Sequence, residues 1–274
     1  GDVLWKYVAE QVGFESPYGN YPVGVVFIAD GKIYLTSGEH SATQPLWRGP
    51  NLRCIDAETG EEVWKLMFWG AGMSSGSGAV IADGYIVGLN YYDNQIYCIG
   101  KGPSETTITA EPAVIEKGSS IMIKGTITDQ SPGAKGSPAI ADEYQEDWME
   151  YIYQQQSMPA DAQGVKVKVY AIDPNGNYQD IGETTSDIWG NYGIDWKPPV
   201  EGKYIVIAEF SGSASYGSSS ASTYFTVDTA PTAAQQIEAE EPAAFALGTT
   251  ELAIIAVVII AVVGVVAFWA LRKR

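Results

Sequence analysis

The sequence predicts an all-β chain that ends in one transmembrane helix, and three observations carry that expectation. Most of the chain between residues 23 and 228 alternates apolar and polar residues between Gly, Pro, Asn and Asp turn signals. A strand unit marked by Ala-Asp-Gly occurs twice, with the two Asp-Gly pairs 53 residues apart at Asp30 and Asp83. Leu252–Leu271 is a run of twenty uncharged residues followed at once by Arg272, Lys273 and Arg274.

That last run spans about 30 Å as a helix, the thickness of a bilayer's hydrocarbon core. Leu252 opens it, Ile260 lies near its middle, and Trp269 stands where an amphipathic ring favours the membrane interface. The basic residues Arg272, Lys273 and Arg274 then face the cytoplasm by the positive-inside rule, leaving everything before them outside. Residues 251–274 are thus expected to be the anchor and its basic tail. The preceding "TAPTAAQQIEAEEPAAFALGTT", residues 229–250, is rich in Ala, Thr, Pro and Glu and reads as a stalk. No N-x-S/T sequon occurs in the chain, and a targeting signal is expected upstream of Gly1.

The formal net charge is −17. All of the acidic residues precede Leu252, so the part outside the membrane is more acidic still. Such a surface repels phosphate backbones, which excludes nucleic acid as an expected partner, and it suits a solvated extracellular face. With 17 Tyr, 8 Trp and 30 Gly, the composition favours strands and tight turns over disorder.

In the first repeat, "VVFIADGKIYLTSGEH" pairs two strands through Asp30-Gly31, and "AVIADGYIVGLNYYDN" does the same through Asp83-Gly84. Asp-Gly suits a two-residue hairpin because both positions need positive φ. A third strand follows in each copy, "NLRCIDAETG" and "NQIYCIGKGP", and in the first copy a Thr-Gly turn leads on to "EEVWKL". Each unit therefore reads as a four-stranded antiparallel meander, with the second ending before its Trp strand. The opening "GDVLWK" matches "GEEVWK" at Gly60–Lys65. Cys54 and Cys98 hold equivalent places in the repeat, either as two small buried strand residues or as a disulfide between neighbouring units.

The stretch "LRCIDAETGEEVWKL" with its preceding "ADGKIYL" resembles the repeat of pyrroloquinoline-quinone-type β-propellers, over residues 1–103. The resemblance implies four-stranded blades with a Trp that packs between them. It also implies a ring of four or more blades, of which these would be a C-terminal part, with "GDVLWK" as the end of a preceding motif. The quinone-dependent members use a vicinal Cys pair and a calcium site. Here the two cysteines are 44 positions apart, so no cofactor is expected within this segment.

From residue 104 to 228 the alternation changes character. Val165, Val167 and Val169 are expected to face one way, with Lys166, Lys168 and Tyr170 facing the other. "GNYGIDWKPPVEGKYIVIAEF" resembles the C-terminal half of bacterial and archaeal Ig-like surface domains. The resemblance implies a β-sandwich with Trp196 between its sheets and Pro198-Pro199 turning the chain into the next strand. An insertion at 129–163 carries Tyr144, Trp148, Tyr151 and Ile152 at helical spacing, with Asp142, Glu143, Glu146, Asp147 and Glu150 mostly on other faces. It reads as an amphipathic helix packed on the sandwich. The other reading is a binding element, with Tyr144, Trp148 and Tyr151 for an extracellular protein or glycan, or the carboxylates for Ca²⁺. The cluster lacks the residue order of a calcium loop.

No catalytic constellation stands out. His40 is the sole histidine and no C-x-x-C pair is present, so no zinc site is expected. No G-x-S-x-G elbow is present, and "GMSSGSG" at Gly72–Gly78 lacks the Lys of a P-loop. The expected function is a membrane-anchored, non-enzymatic binding or scaffolding surface protein. The alternative is a membrane-bound quinoprotein dehydrogenase with its catalytic blades upstream.

Overall fold

Both Asp-Gly pairs make the tight hairpin turns their chemistry demands. The computed structural model describes residues 1–9, 23–37, 51–70 and 79–229, and it is mostly β. In the first turn Asp30 and Gly31 have φ of 50° and 67°, and in the second Asp83 and Gly84 have 50° and 81°. Positive φ at both central residues gives the backbone twist that matches two paired strands.

The first turn joins β1 (Val23–Ala29) to β2 (Lys32–Ser37). With β3 (Asn51–Asp56) and β4 (Glu62–Met67) these form an antiparallel sheet in the order β1-β2-β3-β4. The link from β3 to β4 is set by Asp56, whose Oδ1 accepts the backbone N–H groups of Glu58 at 3.0 Å and Thr59 at 2.8 Å. The second turn joins β5 (Ala79–Ala82) to β6 (Tyr85–Asn90), and β7 (Gln95–Ile99) completes a sheet in the order β5-β6-β7. The meander expected for each repeat is therefore four-stranded in the first copy and three-stranded in the second, among the described residues.

The two repeat sheets stack face to face. Leu52, Leu66 and Phe68 from the first meet Ala79, Ile86 and Tyr97 from the second. Each fully buried aliphatic or aromatic side chain here contributes about 1.5–3 kcal/mol. The stacking separates the two equivalent cysteines. Cys54 is buried and Cys98 is exposed, both as free thiols. The expectation of two buried strand residues thus holds for Cys54 alone, and the disulfide reading fails. Cys54 lies on the face of its sheet that is covered, and Cys98 lies on the matching face of the next sheet, which is not.

The rest of the described chain forms two further sheets. A five-stranded one has the order β10 (Val114–Glu116), β16 (Ser219–Asp228), β15 (Gly202–Phe210), β12 (Lys166–Ile172), β13 (Tyr178–Thr185). Opposite it lie β14 (Asn191–Trp196), β11 (Ile121–Asp129) and β8 (Ser104–Thr106), with β9 (Thr109–Glu111) also on β11. All pairings are antiparallel except β10 with β16. Val165, Val167 and Val169 are buried, while Lys166 and Lys168 are exposed and Tyr170 is half-buried, as the period-2 pattern requires.

Between the sheets Tyr204 and Phe225 stack at 5.3 Å, and the half-buried Trp196 meets Tyr204 edge-on at 5.3 Å. The Tyr204 hydroxyl donates to Val200 O at 2.9 Å and accepts from Val200 N at 3.0 Å. It ties the Pro198-Pro199 corner to the start of β15. The insertion at 129–163 holds a 3-10 turn at Asp142–Tyr144 and one helix, α1 (Gln145–Gln154). Gln155 closes α1 in the left-handed region at φ 56°. Gly1–Thr229, repeat sheets and sandwich together, forms one unit.

Candidate functional site

The most developed polar arrangement in the described residues lies where α1 meets β4. Among the described residues β4 is the outer strand of its sheet, so its outward N–H and C=O groups face no neighbouring strand there. Three side chains of α1 supply what a strand would. Glu146 Oε2 accepts the Lys65 N–H at 3.2 Å, and Glu150 Oε1 accepts the Met67 N–H at 3.2 Å. Gln154 Nε2 donates to Met67 O at 2.6 Å.

The match is geometric. Residues four apart on a helix rise about 6 Å, and alternate residues of a strand, which point their N–H groups to the same edge, are about 6.7 Å apart. Positions i, i+4 and i+8 of α1 thus form a stripe that reads one edge of β4. Lys65 Nζ also lies 4.0 Å from Glu146 Oε1. Burial raises the pKa of both carboxyls above the ordinary glutamate range. The hydrogen bonds from Lys65 N and Met67 N pull the other way, and the Lys65 charge helps them.

The remaining sides of α1 are spent on packing. Met149 and Tyr153 join the core between the repeat sheets, and Tyr153 meets Tyr97 at 6.0 Å. Trp148 is buried, 4% exposed, against Ile140 and Ala162, with Tyr144, Tyr151, Ile152 and Ile188 around it. At the start of the insertion's helical part, Asp142 accepts from Ser213 Oγ, Ala214 N, Ser215 N and Ser215 Oγ at 2.6–3.0 Å. Burial raises its pKa, but these hydrogen bonds outweigh that and hold it below the usual carboxylate range. Asp142 therefore fastens the helix to the sandwich, and Glu146, Glu150 and Gln154 fasten it to the first repeat sheet.

Of the aromatic residues singled out in the sequence, Trp148 offers a partner almost no surface, and Tyr144 and Tyr151 are half-buried beside it. Glu146 and Glu150, expected on the faces turned away from packing, instead make the contact with β4. Their i, i+4 spacing with Gln154 at i+8 was visible in the sequence. Its target was not, because a strand's free edge is backbone and carries no residue signature.

A second feature lies at the N-terminus. The Trp5 indole N–H donates to Ala57 O at 3.1 Å, and its ring lies over Gly60. Gly60 has φ 79°, and a Cβ there would stand 2.5 Å from that ring, so both the turn and the contact demand glycine. Next to it the Tyr7 hydroxyl donates to the Glu62 carboxylate, and Arg53 Nη1 donates to Tyr7 Oη at 3.1 Å and to Glu62 Oε2 at 2.8 Å. Burial pushes the Tyr7 phenol up to about 12, and the bond to Glu62 adds to that.

His40, the stretch Gly72–Gly78 and the anchor residues Leu252, Ile260, Trp269, Arg272, Lys273 and Arg274 lie outside the described residues. Among the described residues no helix is long and apolar enough to cross a membrane. Nor do three or more His, Cys, Asp or Glu side chains gather there in a metal-binding group.

No family model matches the chain, and no curated protein matches it. Among solved structures the chain is similar to the Pseudomonas fluorescens alkylpurine DNA glycosylase AlkC bound to DNA containing an abasic site analog. The identity is 12% over 47% of this chain and 31% of the glycosylase, with a TM-score of 0.25. It is also similar to the Clostridium thermocellum CbhA fibronectin(III)-like modules, at 14% identity over 72% of this chain and 86% of theirs, with a TM-score of 0.28. The chain thus spans about a third of the glycosylase. At these TM-scores neither likeness carries an argument about fold or function.

Proposed function

We propose that the chain belongs to a membrane-anchored cell-surface protein. Its ectodomain joins propeller-type sheets to an Ig-like sandwich and serves binding or scaffolding, not catalysis. The observation that carries this reading is the α1 clamp. It spends two carboxylates and an amide on holding a repeat sheet to the sandwich, which suits a stiff body presented away from a membrane.

Three further observations support the parts of the reading. The order β10-β16-β15-β12-β13 over β14-β11-β8, with the Tyr204 hydroxyl bonded back to Val200 at the β14–β15 corner, agrees with an Ig-like sandwich and its tyrosine corner. Two repeat sheets stacked face to face, with Trp5 seated on the Gly60 turn, agree with propeller blades. The run Leu252–Leu271 followed by Arg272, Lys273 and Arg274 agrees with a single membrane pass. An extracellular protein or a glycan is the expected class of partner.

Protease protection tests this on intact cells. External protease should remove the part before Leu252 while a tag placed after Arg274 survives. Digestion of the tag with the ectodomain left whole would overturn the surface reading.

A further inference from the structure

The outer face of the five-stranded sheet carries an apolar patch that stays open among the described residues. Its side chains stand in register across four strands. Tyr178, Ile172, Ile205 and Tyr224 form one row from β13 through β12 and β15 to β16. The next row is Asp180, Tyr170, Ile207 and Ser222, and the one after it is Glu183, Lys168, Glu209 and Ser220. The alternate residues Val169, Ala171, Val206 and Phe225 are buried in the sandwich core, so these rows point away from it. Tyr224 is 62% exposed, Tyr178 53% and Ile205 47%, while Tyr170, Ile172 and Ile207 are half-buried. Two contacts hold the rings in place. Tyr170 lies 5.2 Å from Tyr178, and Lys203 Nζ sits 4.2 Å over the Tyr224 ring.

We propose that this face is a self-association surface, where two copies of the chain meet across a two-fold axis lying along the strands between β12 and β15. Such an axis exchanges β12 with β15 and β13 with β16, and it sets each row against itself. Ile172 then meets Ile205 of the second copy, Tyr178 meets Tyr224, and Tyr170 meets Ile207. The charges agree as well. Lys168 meets Glu209 of the second copy, Asp180 meets Ser222, and Glu183 meets Ser220. No like charges face each other in the three rows, and the one opposite pair occurs twice. Aligned sheets pack within about 30° of each other, which keeps the rows near the axis in register. A glycan fits less well, because branched Ile172 and Ile205 stand at the centre of the first row, where a sugar would stack on a flat ring. The patch measures about 15 Å on a side. That is below the roughly 800 Å² each partner gives a stable complex, so the association is weak and depends on concentration. It lies wholly on the sandwich, apart from the repeat sheets and from Leu252–Leu271.

Sedimentation of the full chain in detergent tests this, under reducing conditions that keep exposed Cys98 from cross-linking copies. The dimer fraction of the wild type should rise with concentration. Lys168→Glu alone and Glu209→Lys alone should each weaken association at least tenfold, since each sets like charges across the axis twice. Mixing the two variants should bring it back near the wild-type level, because each then offers the other the opposite charge at both contacts. A tag on one variant counts the mixed dimers. Ile205→Lys, at the centre of the first row, should weaken association by itself, and mixing it with either charge variant should not restore it. Association that none of the three variants changes would overturn the proposal, and so would a loss in both charge variants that mixing leaves in place. A wild type that stays monomeric at every concentration would also overturn it, in favour of a glycan if cello-oligosaccharides then shift the Tyr178 and Tyr224 ring resonances.

Discussion

The Glu150 carboxylate accepts the backbone N–H of Met67 at 3.2 Å, joining positions 83 apart in the chain. The bond substitutes a helix side chain for a neighbouring strand at the outer edge of the first repeat sheet. The contact is half-buried, so water reaches its partners only in part.

Replacing Glu150 by Ala should therefore destabilise Gly1–Thr229 by about 1–2 kcal/mol, the cost of leaving a half-buried donor without its acceptor. Glu150→Gln keeps a carbonyl oxygen in place and should cost less than about 1 kcal/mol. Urea unfolding of the two variants checks this. Equal losses would mean that charge, and not the hydrogen bond to Met67, holds the contact.

The clamp should also weaken as the pH rises. Burial raises the pKa of Glu146 and of Glu150 in the folded state, so the folded state binds these protons more tightly than the unfolded chain does. Their contribution is full below the ordinary glutamate pKa and is lost as the pH climbs through the raised folded values. The groups facing them are Lys65 and Glu62 from β4 and Asp147 on α1 itself. Asp142 works in the opposite sense. Its lowered pKa gives stability above the ordinary aspartate value that is lost as the pH falls through the folded one. Thermal melts of the wild type and of the double variant Glu146→Gln, Glu150→Gln should diverge as the pH is raised from about 4.5, with the wild type losing ground. Parallel curves would show that the two carboxyls do not titrate in the contact.

In the sandwich, Trp196→Ala should cost about 2–3 kcal/mol, less than a fully buried ring would, because the half-buried ring packs edge-on against both Tyr204 and Phe225. Tyr204→Phe keeps the ring and loses only the two bonds to Val200, at about 1–2 kcal/mol. Denaturant midpoints at constant slope measure both. A Trp196→Ala loss below about 1 kcal/mol would mean that the ring contributes little to the core.

The local elements were legible from the residues. Asp30-Gly31 and Asp83-Gly84 announce hairpins because few other residue pairs hold positive φ twice in succession. Val165, Val167 and Val169 announce a buried strand face because the strand period is two. The helix within the insertion was legible from the spacing of Trp148, Tyr151 and Ile152. Tertiary structure decided what each face meets. Leu52 and Ile96, or Cys54 and Cys98, have the same local sequence environment and opposite exposure, because burial depends on which sheet stacks on them. The destination of Glu146 and Glu150 was hidden for a related reason. Their partners are backbone N–H groups of β4. Every residue but proline carries such a group, so only the arrangement of strands in space reveals which of them lack a neighbour.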